Sequence, residues 1–242
     1  MASSACYNFI VFGEPGVGKT CFVDQYSFSK SFVAYNPDDS VGMHEISIDG
    51  RSVKMTLMDL STSFLEPENA AEYPEWAEKM LKEADGIVLL YNVTNLESFE
   101  YITRQAYDFL WRCRRLGKKT VDGVPGDERQ SFGCVLAGNK LDLVNAKSDA
   151  RTVDQFLAED WAYTQGFRSI ELNSLARSGP EQALKLLVKN VWKLEQLGLM
   201  KLKENVQQAG STGAKGTGSS IRLTVRDALR TTASRWKSSQ IS

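Results

Sequence analysis

The sequence predicts a three-layer α/β sandwich: a mostly parallel sheet, helices on both faces, and a flexible C-terminal tail. Three observations predict it. Uninterrupted apolar strand-like runs recur between helix-like runs, the pattern of strands buried on both faces. The stretch "GEPGVGKT" (residues 13–20) fits G-x-x-x-x-G-K-[ST] between an apolar run and a helix-like run. The dipeptide Asp49-Gly50, a strong tight-turn signal, joins two strand-like runs, so one antiparallel edge is expected.

In chain order, "YNFIVFG" reads as the first strand and "KTCFVDQY" as the first helix. "HEISIDG" and "RSVKMTLMD" form the hairpin. "PEWAEKMLKEA" reads as a helix and "DGIVLLYNV" as a buried strand. "LESFEYITRQAYDFLWRCRRL" has the spacing of one long amphipathic helix. A polar loop then leads to the buried strand "FGCVLAGNK". "ARTVDQFLAEDWAYTQG" is expected as a helix ended by Gly166, "FRSIEL" as the last strand, and "GPEQALKLLVKNVWKLEQL" as the last helix, with Pro180 near its start. Past Glu204 the composition changes. Residues 1–204 are therefore expected as the globular domain, 205–220 as a Gly/Ser-rich linker, and 221–242 as a basic amphipathic tail.

The chain has 242 residues, is 42% hydrophobic and 24% charged, and carries a net charge of −1. That composition suits an ordinary globular protein and gives no bulk field for nucleic acid. Charge is unevenly placed, however. From Gly210 on, Lys215, Arg222, Arg226, Arg230, Arg235 and Lys237 face a single acid, Asp227, so the tail is basic and the body before it acidic. In the tail, Ile221, Val225, Ala228, Leu229, Thr232 and Trp236 share one helical face and the arginines line another. Such a segment suits an anionic membrane, a partner protein or a merely solvated tail. Cys6, Cys21, Cys113 and Cys134 have no metal-ligand spacing and read as scattered buried thiols of a reducing compartment. No apolar run approaches ~20 residues. "MASSACYN" has no signal-peptide core and "SSQIS" no prenylation cysteine, so a cytoplasmic place, or a peripheral one on the cytoplasmic face of the plasma membrane, is expected.

The loop motif has a specific chemistry. Gly13, Gly16 and Gly18 let the backbone, including Glu14 and Val17, approach phosphate oxygens, and the helix starting near Lys19 turns its positive end toward them. Lys19 is expected to reach the terminal phosphates, Thr20 to hold Mg²⁺, and Cys21 to follow in the same turn. The loop cannot choose a base, but "GNKLD" (residues 138–142) can. It ends a buried strand, where an open α/β sheet places its ligands. The Asp142 carboxylate can accept the N1–H and exocyclic N2–H₂ of guanine; adenine lacks both donors there. Asn139 is expected to tie this loop to the phosphate loop, and the Lys140 stem to cover the base.

With these motifs the chain from about Tyr7 to Leu199 resembles a Ras-superfamily small GTPase, closest to the Ras branch. "GEPGVGKT" and "NKLD" match its first and fourth motifs, "TNLESFEYI" and "ARTV" look like Ras-branch helices, and "IELNSLARSG" resembles the fifth. The resemblance implies a six-stranded sheet with five helices, GTP or GDP with Mg²⁺, and two switch segments, here residues 35–40 (Tyr35 to Ser40) and 59–68 (Asp59 to Glu68). Effectors, exchange factors and activating proteins are expected at those segments, on a monomer. Asn173, Ser174 and Leu175 stand at the fifth motif, with the Ser174 N–H expected on guanine O6. Phe32, or else Phe28, stands where an aromatic covers the base.

The departures from the family pattern bear on hydrolysis. Asp38 replaces the metal-binding Thr of the first switch; its carboxylate can bind Mg²⁺ or lie outside the site, with Ser40 as a nearby hydroxyl. Where the second switch usually reads D-T-A-G-Q, this chain has Asp59-Leu60-Ser61-Thr62-Ser63. Asp59 keeps its metal role. Thr62 replaces the glycine whose backbone swings to the γ-phosphate, and a β-branched residue restricts that motion. Ser63 is too short to orient water as glutamine does, with Glu66 or Glu68 the nearest acids, so slow hydrolysis is expected. Pro15 removes a loop donor. His44 reads as a surface residue, and Trp76, Trp111, Trp161 and Trp192 as packing residues. Two functions compete: a slowly hydrolysing guanine-nucleotide switch, and a nucleotide-stabilised interaction module with no hydrolytic cycle. A P-loop kinase or ATPase is disfavoured by "NKLD".

Overall fold

The computed structural model describes residues 6–28, 43–66, 75–115 and 132–211. Strand β1 (Cys6–Gly13) is followed by helix α1 (Lys19–Phe28). The hairpin β2 (Met43–Ile48) and β3 (Arg51–Ser61) comes next, then a 3-10 turn, Thr62–Leu65, and α2 (Glu75–Glu83). β4 (Gly86–Asn92) leads into α3 (Leu96–Tyr101), which continues through a π turn, Ile102–Ala106, into α4 (Tyr107–Arg115). β5 (Gly133–Asn139), α5 (Leu141–Ala146), α6 (Gln155–Thr164), β6 (Arg168–Glu171) and α7 (Ser178–Ser211) complete the described chain.

The six strands form one sheet in the order β2-β3-β1-β4-β5-β6. Among the described residues only the β2–β3 pair is antiparallel. Its turn is the expected one: Asp49 (φ 50°) and Gly50 (φ 77°) both take the positive φ that a two-residue hairpin turn needs. Successive residues of the central strands bury opposite faces. Ile87, Leu89 and Tyr91 of β4, with Ile10, Phe12, Cys134 and Leu136, meet α2, α4 and α6 on one side. Val88 and Leu90, with Phe9, Val11, Val135 and Ala137, meet α1 and α7 on the other. This two-sided burial is why the strands read as unbroken apolar runs.

Four sequence expectations change here. The run expected as one helix over residues 96–116 contains the π turn, where Thr103 Oγ1 bonds back to the Phe99 carbonyl at 2.6 Å; such back-bonding competes with the regular helix ladder. The helix expected from Ala150 begins at Gln155 instead, because the Asp154 side chain caps it, accepting the Phe156 N–H at 2.7 Å. The short α5 makes six helical rods among the described residues rather than five, counting α3–α4 as one. The last helix runs to Ser211, so residues 205–211 of the expected linker are helical. Residues 212–242, and with them the amphipathic tail, lie outside the described residues.

Side-chain readings were mixed. Cys113 and Cys134 are buried, but Cys6 is exposed. Trp111, Trp161 and Trp192 pack against the cores, whereas Trp76 is 56% exposed. His44 is half-buried and meets the Tyr26 ring edge-on, with centroids 5.7 Å apart. It shares a strand face with Ile46 and Ile48, which are buried, and that period-2 position rather than its polarity decided its place.

Candidate nucleotide site

The sheet register brings the motifs together. Val11 pairs with Asp59 and Gly13 with Ser61, while Tyr91 pairs with Gly138 and Asn92 with Asn139. All of these stand at the carboxyl ends of adjacent parallel strands, where an open α/β sheet forms its binding crevice. The glycines are there for close approach. A Cβ on Gly13 would lie 2.4 Å from the Leu90 carbonyl oxygen. Gly18 (φ 101°) would put one 2.3 Å from Asn139 Nδ2. Gly16 (φ 79°) faces open space, and its backbone conformation alone calls for glycine.

Asn139 is the hub. Its Nδ2 donates to the Val17 carbonyl at 2.8 Å, and its Oδ1 accepts the Ser174 N–H at 2.9 Å. One buried amide thus ties the phosphate loop to the fifth-motif segment. The Ser174 N–H, expected on guanine O6, is in this structure given to Asn139, and the Leu175 N–H is given to Asn173 Oδ1 at 2.8 Å. Ser174 itself is buried, and its Oγ has no partner among the described residues. Lys140 takes a left-handed conformation (φ 68°) just before α5, whose first turn holds the half-exposed Asp142.

The Lys19 cation and the two groups expected to hold a metal, Thr20 and Asp59, converge at the other end of the loop. The Lys19 ammonium is buried and donates to the Glu14 carbonyl at 2.7 Å; burial lowers its pKa, opposed by the charges of Asp59 and Glu14. The Thr20 hydroxyl donates to Asp59 Oδ2 at 2.6 Å. Glu14 has its carboxyl pKa raised, first by burial and then by Glu66 and Glu97, with Lys19 opposing. Burial likewise raises the pKa of the Cys21 thiol, aided by Asp24 and opposed by Lys140. Ser63 follows Thr62 in the 3-10 turn, and its N–H donates to Ser61 Oγ at 3.3 Å. Phe32, Asp38 and the segment 35–40 lie outside the described residues, as does Glu68; the side chain of Phe28 does too.

Sequence reasoning missed one brace. Arg151 makes a two-pronged ion pair with Glu171, at 2.6 and 2.7 Å, and its Nη1 also bonds the Val153 carbonyl at 3.2 Å. The pair secures the end of β6 just before Asn173. Reading residues 150–154 as helix hid it, because an extended Arg151 is what reaches β6.

These residues fit a nucleoside phosphate with a divalent cation. Gly13 and Gly18 leave no room for a side chain, the ammonium and the hydroxyl–carboxylate pair flank the same turn, and the buried Ser174 hydroxyl has no partner among the described residues. Comparison with known families agrees: the model of the family described as "Ras family" matches residues 8–193.

Proposed function

Because the chain belongs to the Ras family, and so is a small GTP-binding protein with a P-loop, we propose that it works as a guanine-nucleotide switch in signalling whose own GTP hydrolysis is slow. The observation that carries this reading is the 2.6 Å pairing of Thr20 with Asp59 beside the buried Lys19. Those groups suit a terminal phosphate. The Lys19 ammonium exchanges the Glu14 carbonyl for phosphate oxygens, where its charge offsets theirs. Mg²⁺, when bound, would be held by Thr20 and Asp59, with Asp38 as a further candidate, and would neutralise part of the phosphate charge. Asp142 selects guanine by accepting its two donors, and the Lys140 stem lies over the base.

Slow hydrolysis follows from what surrounds the attacking water. Ser63 is short, and its N–H is already engaged by Ser61. Thr62 is 1% exposed, which does not suit a residue that must swing toward phosphate. Pro15 offers no N–H to the transition state. The same burial of Thr62 favours a second reading, a nucleotide-stabilised interaction module without a hydrolytic cycle. Under either reading, effectors or regulators meet residues 35–40 and 59–68 of a monomeric, cytoplasmic protein, and its basic tail suits an anionic membrane surface, a partner or solvent alone. Single-turnover conversion of bound GTP, with Mg²⁺, tests the proposal. GDP formed slowly on the protein supports the switch, stable bound GTP favours the interaction module, and failure to bind either nucleotide refutes both.

A further inference from the structure

Residues 61–66, within the second-switch segment, are fastened to the core. Ser61 Oγ caps the 3-10 turn, accepting the Ser63 N–H at 3.3 Å, and the Glu66 N–H closes it on the Ser63 carbonyl at 3.3 Å. Thr62 is buried at 1% exposure. Phe64 stacks on Phe12, with centroids 6.3 Å apart and planes at 30°, and meets Phe109 edge-on at 5.6 Å and 71°. Leu65 packs on the same core. Phe12 immediately precedes Gly13, the first residue of the phosphate loop, and Phe109 belongs to α4. The turn is therefore pinned between the strand that carries the loop and a helix that covers the sheet.

A segment that reports nucleotide state needs two arrangements close in free energy, which the γ-phosphate can then bias. Phe64 is half-buried, and withdrawing such an aromatic side chain lowers the population of the withdrawn state by roughly tenfold. Thr62 adds to this, since a buried β-branched residue has little freedom to rotate its backbone. We infer that Phe64 is a positioning residue: docked between Phe12 and Phe109, it holds residues 61–66 in one arrangement whichever nucleotide is bound, so this surface is offered to partners constitutively. The inference rests on reading residues 59–68 as the second switch of a GTP-binding protein.

Amide hydrogen exchange on the full chain tests it, comparing GDP with a non-hydrolysable GTP analogue. In the wild type, exchange across residues 62–66 should agree between the two states to within about threefold. Phe64→Ala should speed that exchange by roughly fivefold or more and make it nucleotide-dependent, while Phe64→Leu restores most of the protection. Amides of β5 should not follow, which separates release of the segment from general loosening. A wild-type difference above about tenfold between the two nucleotides overturns the inference, and needs no variant to fold. Unchanged exchange in a folded Phe64→Ala also overturns it. If the chain takes up neither nucleotide, the switch reading fails, yet wild type against Phe64→Ala still reports whether the clamp exists.

Discussion

Replacing Asn139 by alanine should damage folding and nucleotide binding together. The side chain satisfies two buried backbone groups, the Val17 carbonyl at 2.8 Å and the Ser174 N–H at 2.9 Å, and Asn139 is 2% exposed. Alanine reaches neither group, and little water has access. Each buried group left unpaired costs about 1–3 kcal/mol, so the pair costs roughly 2–6 kcal/mol. For a domain of this size that lowers Tm by roughly 5–20 °C. The loop ending at Gly18 also loses its anchor, so affinity for GDP should fall at least about tenfold, which corresponds to ~1.4 kcal/mol. The assay is thermal unfolding with and without GDP, alongside equilibrium nucleotide binding. Gly18→Ala is an independent arm: its Cβ would press on Asn139 Nδ2 from 2.3 Å, and its φ of 101° is strained for alanine, so both readouts should move in the same direction. A fall in Tm below about 2 °C with affinity unchanged in Asn139→Ala would show that the bridge is incidental, and the reasoning from buried pairing would be refuted.

Four further outcomes are expected. Lys19→Ala should abolish nucleotide binding and Asp142→Ala should erase the preference for guanine over adenine nucleotides; competition binding measures both, and wild-type behaviour in either variant removes that residue from the site. Ser63→Gln should raise single-turnover GTP hydrolysis by less than about tenfold, because Thr62 and Pro15 stay as they are; a larger gain would make the short side chain the sole defect. Glu14→Gln should stabilise the protein near pH 7. The folded-state pKa of Glu14 lies above its ordinary 4.5, so wild-type stability from this group is present below pH 4.5 and is lost as pH rises through the raised value. The variant's advantage in Tm should therefore be absent in acid and grow toward neutrality, to roughly 1–3 °C for a solvent-screened charge. An advantage that is largest in acid contradicts the sign.

Elements with strong local signals were legible in the sequence. The six strands follow from apolar runs and from Asp49-Gly50, whose positive φ values are a local demand of the turn. The phosphate loop and "GNKLD" were legible because their glycines, lysine and carboxylates mean the same chemistry wherever such loops end a buried strand. Boundaries set by side chains elsewhere were less legible. The start of α6 depended on whether Asp154 capped the helix or Arg151 continued it, and Arg151 instead pairs with Glu171 across the fold. His44 was misread because the neighbour that covers it, Tyr26, is far along the chain.

The sequence by itself determined the α/β architecture, the phosphate loop, the "GNKLD" segment and the departures at Thr62 and Ser63, since each is a property of adjacent residues. Only the tertiary structure decided that Asn139 spends its amide on Val17 and Ser174, that Glu14 lies near Glu66 and Glu97, and that Phe64 inserts between Phe12 and Phe109. The physical reason is the same in each case. Hydrogen bonding and packing energies at these groups depend on partners up to 122 positions away in the chain, and parallel strand pairing, rather than local periodicity, brings those partners within reach.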